Sequence, residues 1–423
     1  MIVYNAVRQP INLEAHIHEG GEGWICPVSG QPTKLAKIYK QQKQAGRETK
    51  LRWMIANAPI DPSRSLGHAS IAWPETLLYD GHSSFVGYVM PRITNTRTLL
   101  HVFNPRLRAQ MITGCDSFFL HRVARNLATA IGALHGRDYI VGDLNESNIL
   151  VTSQALVTVI DTDSFQAKEE HDGQIIFYPC PVGRPEYSPP ELQGKRFKGE
   201  VRQPEQDAFA LAVLIFQLLL GGSHPFRAIW LGSGAPPPLE EKINLGLFPH
   251  AKATARGQVA PPPNLSLDRL HPPLADLMCR CFVDGHNNPK NRPLPAEWEN
   301  TLREAEKFLR TCPNQHVYSG HLMKCPQCGA KPAPVRRAAS TAAGAPAVVP
   351  ATALHPNPLQ PPPPLKTPLP PTQTCGSCKA AVPTTALFCP TCGSVIAPMT
   401  CIHCGFGQVP HVAKCCPKCG KPT

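Results

Sequence analysis

The chain has 423 residues, a net charge of +12 and 42% hydrophobic residues. That is room for two or three domains and a sizeable core. The basic excess is spread along the sequence and marks no nucleic-acid surface by itself. The first twenty residues lack a basic segment followed by an apolar core, which speaks against a secretory leader. The most apolar run, 208–222, contains Gln217 and is short for a membrane span. With no leader, no span and cysteines that group mostly as C-x-x-C pairs, the expected compartment is a reducing cytoplasm.

Residues 1–40 read as strands joined by a glycine-rich turn. In His18-Glu19-Gly20-Gly21-Glu22-Gly23 the spacing is that of G-x-G-x-x-G with His18 at the first position. Gly20, Gly21 and Gly23 either let the backbone approach phosphate oxygens or simply make a surface turn. Residues 35–39 suit a strand, on which Lys37 would act as a point charge toward phosphates; Lys34 and Lys40 stand close to it. Residues 41–57 predict a helix with Leu51, Met54 and Ile55 on one face. Glu48 is then the natural partner of Lys37, and the basic residues from Lys40 to Arg52 read as a solvated face.

Residues 68–92 predict antiparallel strands, the last ending at Met90 before Pro91. From about residue 93 the pattern turns helical. Phe118, Val123, Leu127, Ile131 and Leu134 mark one face of a long helix. It runs into Val141-Gly142-Asp143-Leu144-Asn145-Glu146-Ser147-Asn148, and an apolar strand then leads to Asp161-Thr162-Asp163. Phosphoryl transfer to a hydroxyl needs a carboxylate to orient that hydroxyl, and an amide with a carboxylate to hold Mg²⁺ against the phosphates. Asp143, Asn148 and Asp161 supply such a set. Asp163 reads as a turn cap or a ligand to a second cation. Residues 164–185 read as loop, Asp207 as the start of an apolar helix over 208–220, and 270–281 and 296–309 as further helices.

The C-terminal cysteines predict zinc. Cys325-Pro326-Gln327-Cys328-Gly329 forms a knuckle that Cys312 and His316 or His321 would complete. Residues 331–373 are an Ala/Pro-rich linker favouring extended polyproline II. Beyond it, Cys375, Cys378, Cys389 and Cys392 form one four-thiolate set, and Cys401, Cys404, Cys416 and Cys419 a second, leaving Cys415 over. The spacing predicts two small β zinc ribbons whose folding depends on metal. With few aromatic or basic residues there, protein binding is favoured over nucleic acid.

Taken in order, Asp143, Asn148, Asp161, Pro189-Pro190-Glu191, Asp207 and Arg292 resemble the motif series of a eukaryotic-type protein kinase domain. The resemblance implies an α+β, bilobal protein-kinase-like fold over residues 1–310, with an N-lobe to about 92 and a C-lobe from 93. The zinc knuckle (311–330), the linker (331–373) and the double ribbon (374–423) follow. It implies ATP bound by Gly20, Gly21, Gly23, Lys37 and Met90, a Lys37–Glu48 ion pair, and Mg²⁺ or Mn²⁺ on Asn148 and Asp161. Asp143 would be the catalytic carboxylate, and Arg292 the buried partner of Glu191.

Departures from the family pattern are His18, Val141 and Gly142 in place of His and Arg, Asn145 in place of Lys, and Thr162-Asp163 in place of Phe-Gly. Without the Arg there is no cation to hold a phosphorylated activation loop. These variants are similar to a bacterial kinase branch that often carries C-terminal zinc ribbons. Its members occur with a PP2C-type phosphatase and a von Willebrand A-domain protein in tellurite-resistance-linked phosphorylation triads. The expected function is Ser/Thr phosphorylation of a protein partner. A pseudokinase scaffold and a ribbon-led nucleic-acid-binding regulator are the alternatives.

Overall fold

The computed structural model describes residues 1–331, save 45, 112–113, 172, 252–257 and 264, together with the strands Thr372–Thr374 and Ala381–Pro383. The chain divides into two units, Met1–Ala338 and Ala339–Thr423. In the second, the two strands pair antiparallel with Gln373 opposite Val382. The ribbon cysteines Cys375, Cys378, Cys389, Cys392, Cys401, Cys404, Cys416 and Cys419 lie outside the described residues, as does the linker over 332–371.

The first unit begins with a seven-stranded antiparallel sheet: β1 (Ile2–Tyr4), β2 (Pro10–Asn12), β3 (His18–Glu19), β4 (Gly23–Val28), β5 (Gln31–Tyr39), β6 (Thr76–Tyr79) and β7 (Phe85–Pro91). Their spatial order is β2-β1-β6-β7-β5-β4-β3. Strand alternation sorts β5 cleanly. Ala36 and Ile38 join Val3, Val28, Leu78 and Val89 in a small core on one side. Lys37 and Tyr39 face the other side, where Tyr88 sits opposite Lys37 across the β5–β7 ladder. Gly23 pairs with Tyr39, and a Cβ there would run into the Ile38 carbonyl, so packing on β5 alone demands this glycine. Helix α1 (Arg47–Ala56) buries Lys50, Leu51 and Met54, and Trp73 Nε1 donates to the Met54 carbonyl at 3.0 Å.

The remainder of the unit is mainly helical. β8 (Thr96–Thr98) joins the hairpin β9 (Ile149–Thr152) and β10 (Val157–Val159). Between them lie α2 (Leu99–Phe103), α3 (Pro105–Met111) and the long α4 (Ser117–His135), whose first turn is capped by Asp116 accepting from the Phe119 N–H at 2.9 Å. Residues 164–185 are not simply loop: β11 (Ala167–His171) and β12 (Gln174–Tyr178) form an antiparallel hairpin. α5 (Pro204–Leu219) starts three residues before Asp207, because Pro204 occupies its first turn and Gln203 and Gln206 form a reciprocal cap. It is buried along nearly its whole length and packs with α4 in the main core.

A helix over Pro295–Lys307 lies against α4. The strands Leu309–Thr311 and Val317–Ser319 follow it and attach to the same body: Ser117 Oγ donates to the Val317 carbonyl at 2.9 Å. The mixed sheet-and-helix architecture, with a strand-rich part on a helical part, matches a kinase-like arrangement. Among the described residues no helix is long and apolar enough to cross a membrane.

Candidate active site

A cleft of about 740 Å³ separates the strand-rich and helical parts of the first unit. Its lining includes Gly20, Gly21, Glu22, Gly23, Lys37, Met90, Asp143, Asn148 and Asp161. These come from five places in the chain: the β3–β4 turn, β5, β7, the loop after α4, and the end of β10.

Asp207 sets the loop. Its carboxylate accepts the Val141 and Gly142 N–H groups at 2.7 and 2.8 Å and meets His135 Nε2 at 3.0 Å. Asn145 is fully buried; its side chain donates to the Asp143 carbonyl and accepts from the Ser147 N–H, both at 2.9 Å. It is thus a loop brace. Asn148 donates to the same carbonyl at 3.0 Å and to Asp143 Oδ2 at 3.2 Å. Among the described residues, buried Asp143 Oδ1 has no hydrogen-bond partner. Burial pushes the Asp143 carboxyl above its ordinary range, against the pull of Asn145, Arg184 and Asn148.

Asp161 takes φ 60°, a left-handed conformation that costs a non-glycine residue about 1–3 kcal/mol. Lys37 Nζ reaches Asp161 Oδ1 at 2.8 Å and Asp163 at 2.8 and 2.9 Å. The expected Lys37–Glu48 pair does not form. Glu48 points outward, taking Arg52 on its own helix and the Tyr79 hydroxyl at 2.5 and 2.9 Å. Asp163 takes its place. It is 3% exposed and also accepts from Tyr39 at 2.6 Å, Tyr88 at 2.8 Å and Arg47 at 3.0 Å.

Asp163 is therefore neither the turn cap nor the second-cation ligand expected of it; it is the buried anion that positions the strand lysine. Burial disfavours its charge, yet Lys37, Tyr39 and Arg47 hold the carboxyl well below the usual range. Asp161 moves the other way: burial and the neighbouring Asp163 charge raise it, with Lys37 opposing. The two acids are thus electrostatically divided, one locked to cations and one facing the cleft. Thr162, fully buried, anchors the turn between them by donating to the Ala72 carbonyl at 2.9 Å.

The basic face assigned to solvent also needs correction. Arg47 and Lys50 turn inward on α1, and Lys50 Nζ donates to the Asp163 carbonyl at 2.8 Å. Burial brings the Lys50 ammonium down to about 8.

Gly142, with φ 72°, stands where the family pattern has Arg. A Cβ there would meet Arg202 Nη1 at 2.7 Å and Cys180 at 2.8 Å. Arg202 itself is 3% exposed. It donates to the Gly142 and Val182 carbonyls and stacks over Phe197 at 4.3 Å. A guanidinium from outside the loop therefore ties residue 182 to the loop without any phosphoryl group. Arg202→Met is expected to cost about 2–3 kcal/mol through the lost charge-assisted bonds. Urea denaturation checks this, and an unchanged midpoint would contradict it. Farther on, Arg292, 1% exposed, clasps Glu191 through two 2.7 Å bonds and fixes the 185–191 segment on the helical part.

A separate cluster joins Cys312, His316, Cys325 and Cys328, whose ligand atoms all lie within 4.8 Å of one another. The Cys312–Cys328 sulfurs, and Cys325 Sγ with His316 Nδ1, are 3.7 Å apart. Metal–sulfur bonds of about 2.3 Å in a tetrahedron give edges near 3.8 Å, so the set fits a tetrahedral ion. His321 is not part of it; it bonds Ser319 Oγ and the Asp268 carbonyl.

Comparison with known proteins bears on the cleft. Over 331 residues the chain is 31% identical to the protein named Protein kinase YegI from Escherichia coli O157:H7, covering 77% of this chain and 50% of that protein. For the K12 strain the identity is 30% over the same length. Over about three quarters of its length the chain is thus similar to proteins named as protein kinases. It is also 32% identical over 160 residues to Serine/threonine-protein kinase SBK2 from Homo sapiens, covering 34% of this chain and 44% of that one. The chain spans about half the length of the YegI proteins it matches. No protein-family model matches the chain.

Proposed function

We propose that the first unit is an ATP-dependent protein kinase acting on Ser or Thr hydroxyls of a protein partner. The observation that carries this reading is the buried Asp143 Oδ1, unpartnered among the described residues, in a cleft that also holds Asn148, Asp161 and Lys37. A carboxylate oxygen buried without a donor is costly unless a ligand supplies one, and a substrate hydroxyl is such a donor. Asn148 has its amide N–H groups engaged on Asp143, which leaves its oxygen for a cation; Asp161 has one oxygen on Lys37 and a second for the same ion. These residues fit Mg²⁺ or Mn²⁺. When bound, the metal nucleotide supplies the phosphoryl group and neutralises the charge that develops on it. Lys37 holds the phosphates, the Gly20–Gly23 turn roofs them, and Asp143 orients the hydroxyl and accepts its proton.

The test is label transfer from ATP with Mg²⁺ or Mn²⁺ by the full chain, beside Asp143→Ala and Asp161→Ala. Transfer to itself or to a protein substrate above both controls supports the reading; transfer equal to the controls supports a pseudokinase scaffold.

The Cys312–His316–Cys325–Cys328 set is proposed as a structural zinc site. Cys325→Ser is expected to lower the zinc content of the full chain by about one equivalent. Unchanged content, measured by atomic absorption, would remove it. The ribbon cysteines are proposed to hold two further zinc ions and to bind protein. A von Willebrand A-domain protein as substrate and a PP2C-type phosphatase as counterpart are proposed on the family resemblance, and a cytoplasmic location on the paired cysteines and the lack of an apolar leader or span in the sequence.

A further inference from the structure

The β3–β4 turn carries an acid at its tip. The Gly20 N–H bonds the Gly23 carbonyl at 2.9 Å, which fixes the turn. Glu22 between them lines the cleft, and its carboxylate meets Arg47 Nη2 at 2.5 Å and Lys37 Nζ at 3.5 Å. Arg47 also lines the cleft. The roof thus places an anion on the same two cations that hold Asp163. Lys37 is the residue assigned to the nucleotide phosphates, and any phosphate oxygen reaching it enters the position that Glu22 shares. A Cβ built on Gly21 would meet nothing within 4 Å among the described residues, so there is space at Gly21, and the turn is held by its own bond, by the Lys40 N–H on the Glu22 carbonyl at 2.9 Å and by the Glu22 pairs.

We infer that Glu22 and Arg47 form a latch across the mouth of the cleft, and that nucleoside polyphosphates open it by replacing the Glu22 carboxylate on Arg47 and Lys37. The inference rests on the nucleotide reading of the cleft and deepens it: Arg47 becomes a second phosphate-binding cation, on a helix turn where the family pattern offers a carboxylate nearby. Arg47 gives Glu22 its Nη2 alone, with Nη1 on Asp163, and a phosphate oxygen accepts such a charge-assisted bond as a carboxylate does, so exchange of one anion for the other is chemically direct. A triphosphate carries several anionic oxygens and displaces a single carboxylate; adenosine, which carries none, leaves the latch shut. The latch therefore sets a preference for polyphosphates over the bare nucleoside.

The experiment is calorimetric titration of the full chain with Mg·ATP and separately with adenosine, for the wild type, Glu22→Gln, Arg47→Met and the double variant. Glu22→Gln removes the competitor. It is expected to tighten ATP about 5- to 10-fold while changing adenosine less than about twofold. Arg47→Met is expected to weaken ATP about 10-fold, and in its background the gain from Glu22→Gln shrinks. Should Glu22→Gln leave ATP affinity unchanged, weaken it, or tighten adenosine equally, the latch is overturned and the nucleotide reading stands. Failure of every variant, wild type included, to bind either ligand overturns both. Glu22→Gln keeps the size of the side chain at a half-buried position, so the Glu22→Gln arm decides the matter even if Arg47→Met misfolds.

Discussion

Asp163→Ala is expected to lower phosphotransfer by orders of magnitude and to destabilise the first unit, whereas Glu48→Ala is expected to do neither. The contrast follows from where the two carboxylates lie. Asp163 is 3% exposed and is the shared acceptor for Lys37, Arg47, Tyr39 and Tyr88. Removing it leaves a Lys37 that is only 7% exposed with the cleft-facing Asp161 at 2.8 Å and Glu22 at 3.5 Å as its remaining anions. Taking one partner from a buried ion network typically costs about 3–5 kcal/mol, much of it the desolvation of the charges left behind. Lys37 would then be drawn onto Asp161, the carboxylate proposed for the metal, and onto Glu22, and phosphotransfer should fall by about 10²–10³-fold. Glu48 pairs with Arg52 on an exposed helix surface, where such pairs contribute about 0.5 kcal/mol or less. Denaturation midpoints and label transfer on the two variants separate these outcomes. A Glu48→Ala protein as impaired as Asp163→Ala would reverse the assignment.

The second large effect falls on Asp143. Asp143→Asn keeps the size of the side chain and removes the carboxylate that can take up a proton. It is expected to lower kcat by about 10²–10⁴-fold, the usual range for a general base. Nucleotide affinity should hardly change, because the loop is braced through the Asp143 backbone carbonyl and Asp207 rather than through the reacting oxygen. The pH profile carries an independent sign. Asp143 must be ionised to accept a proton, and burial raises its pKa. Activity is therefore present above that raised pKa and is lost as pH falls through it, at a higher pH than an ordinary carboxylate would give. A profile flat through the acidic range, with the fold intact, would remove Asp143 from this role.

Much of the site was legible because its spacing is local. Asp143 and Asn148 share one loop, and the strand that follows delivers Asp161. The two-residue period of β5 puts Lys37 and Tyr39 on one face, and the same period in β7 adds Tyr88. Glu48 was misread for a physical reason. Taking Ile55 with Leu51 and Met54 rotates the inferred helix face toward Glu48. The burial centres on Lys50, Leu51 and Met54, while Ile55 is only half-buried, and Arg47 falls on that side by its i, i+4 relation to Leu51.

A carboxylate two residues after Asp161, the proposed metal ligand, is the compensating signal, since a second acid there needs a buried cation or solvent. Arg202 could not be assigned from spacing, because it reaches Gly142 across sixty residues of chain. The β11–β12 hairpin was missed because Ile175, Ile176 and Phe177 are consecutive apolar residues without alternation. The Asp172-Gly173 dipeptide was the available turn signal.

The central claim is that the two acids flanking Thr162 divide their work, Asp161 for the metal and Asp163 for Lys37. A crystal structure of the full chain with Mg²⁺ and a non-hydrolysable ATP analogue tests this most directly. The account predicts the nucleotide in the Gly20–Met90 cleft, a metal ion on Asp161 and Asn148, and Asp163 still bonded to Lys37. A metal ion coordinated by Asp163, or a Lys37 paired with Glu48 once the nucleotide is bound, would contradict it.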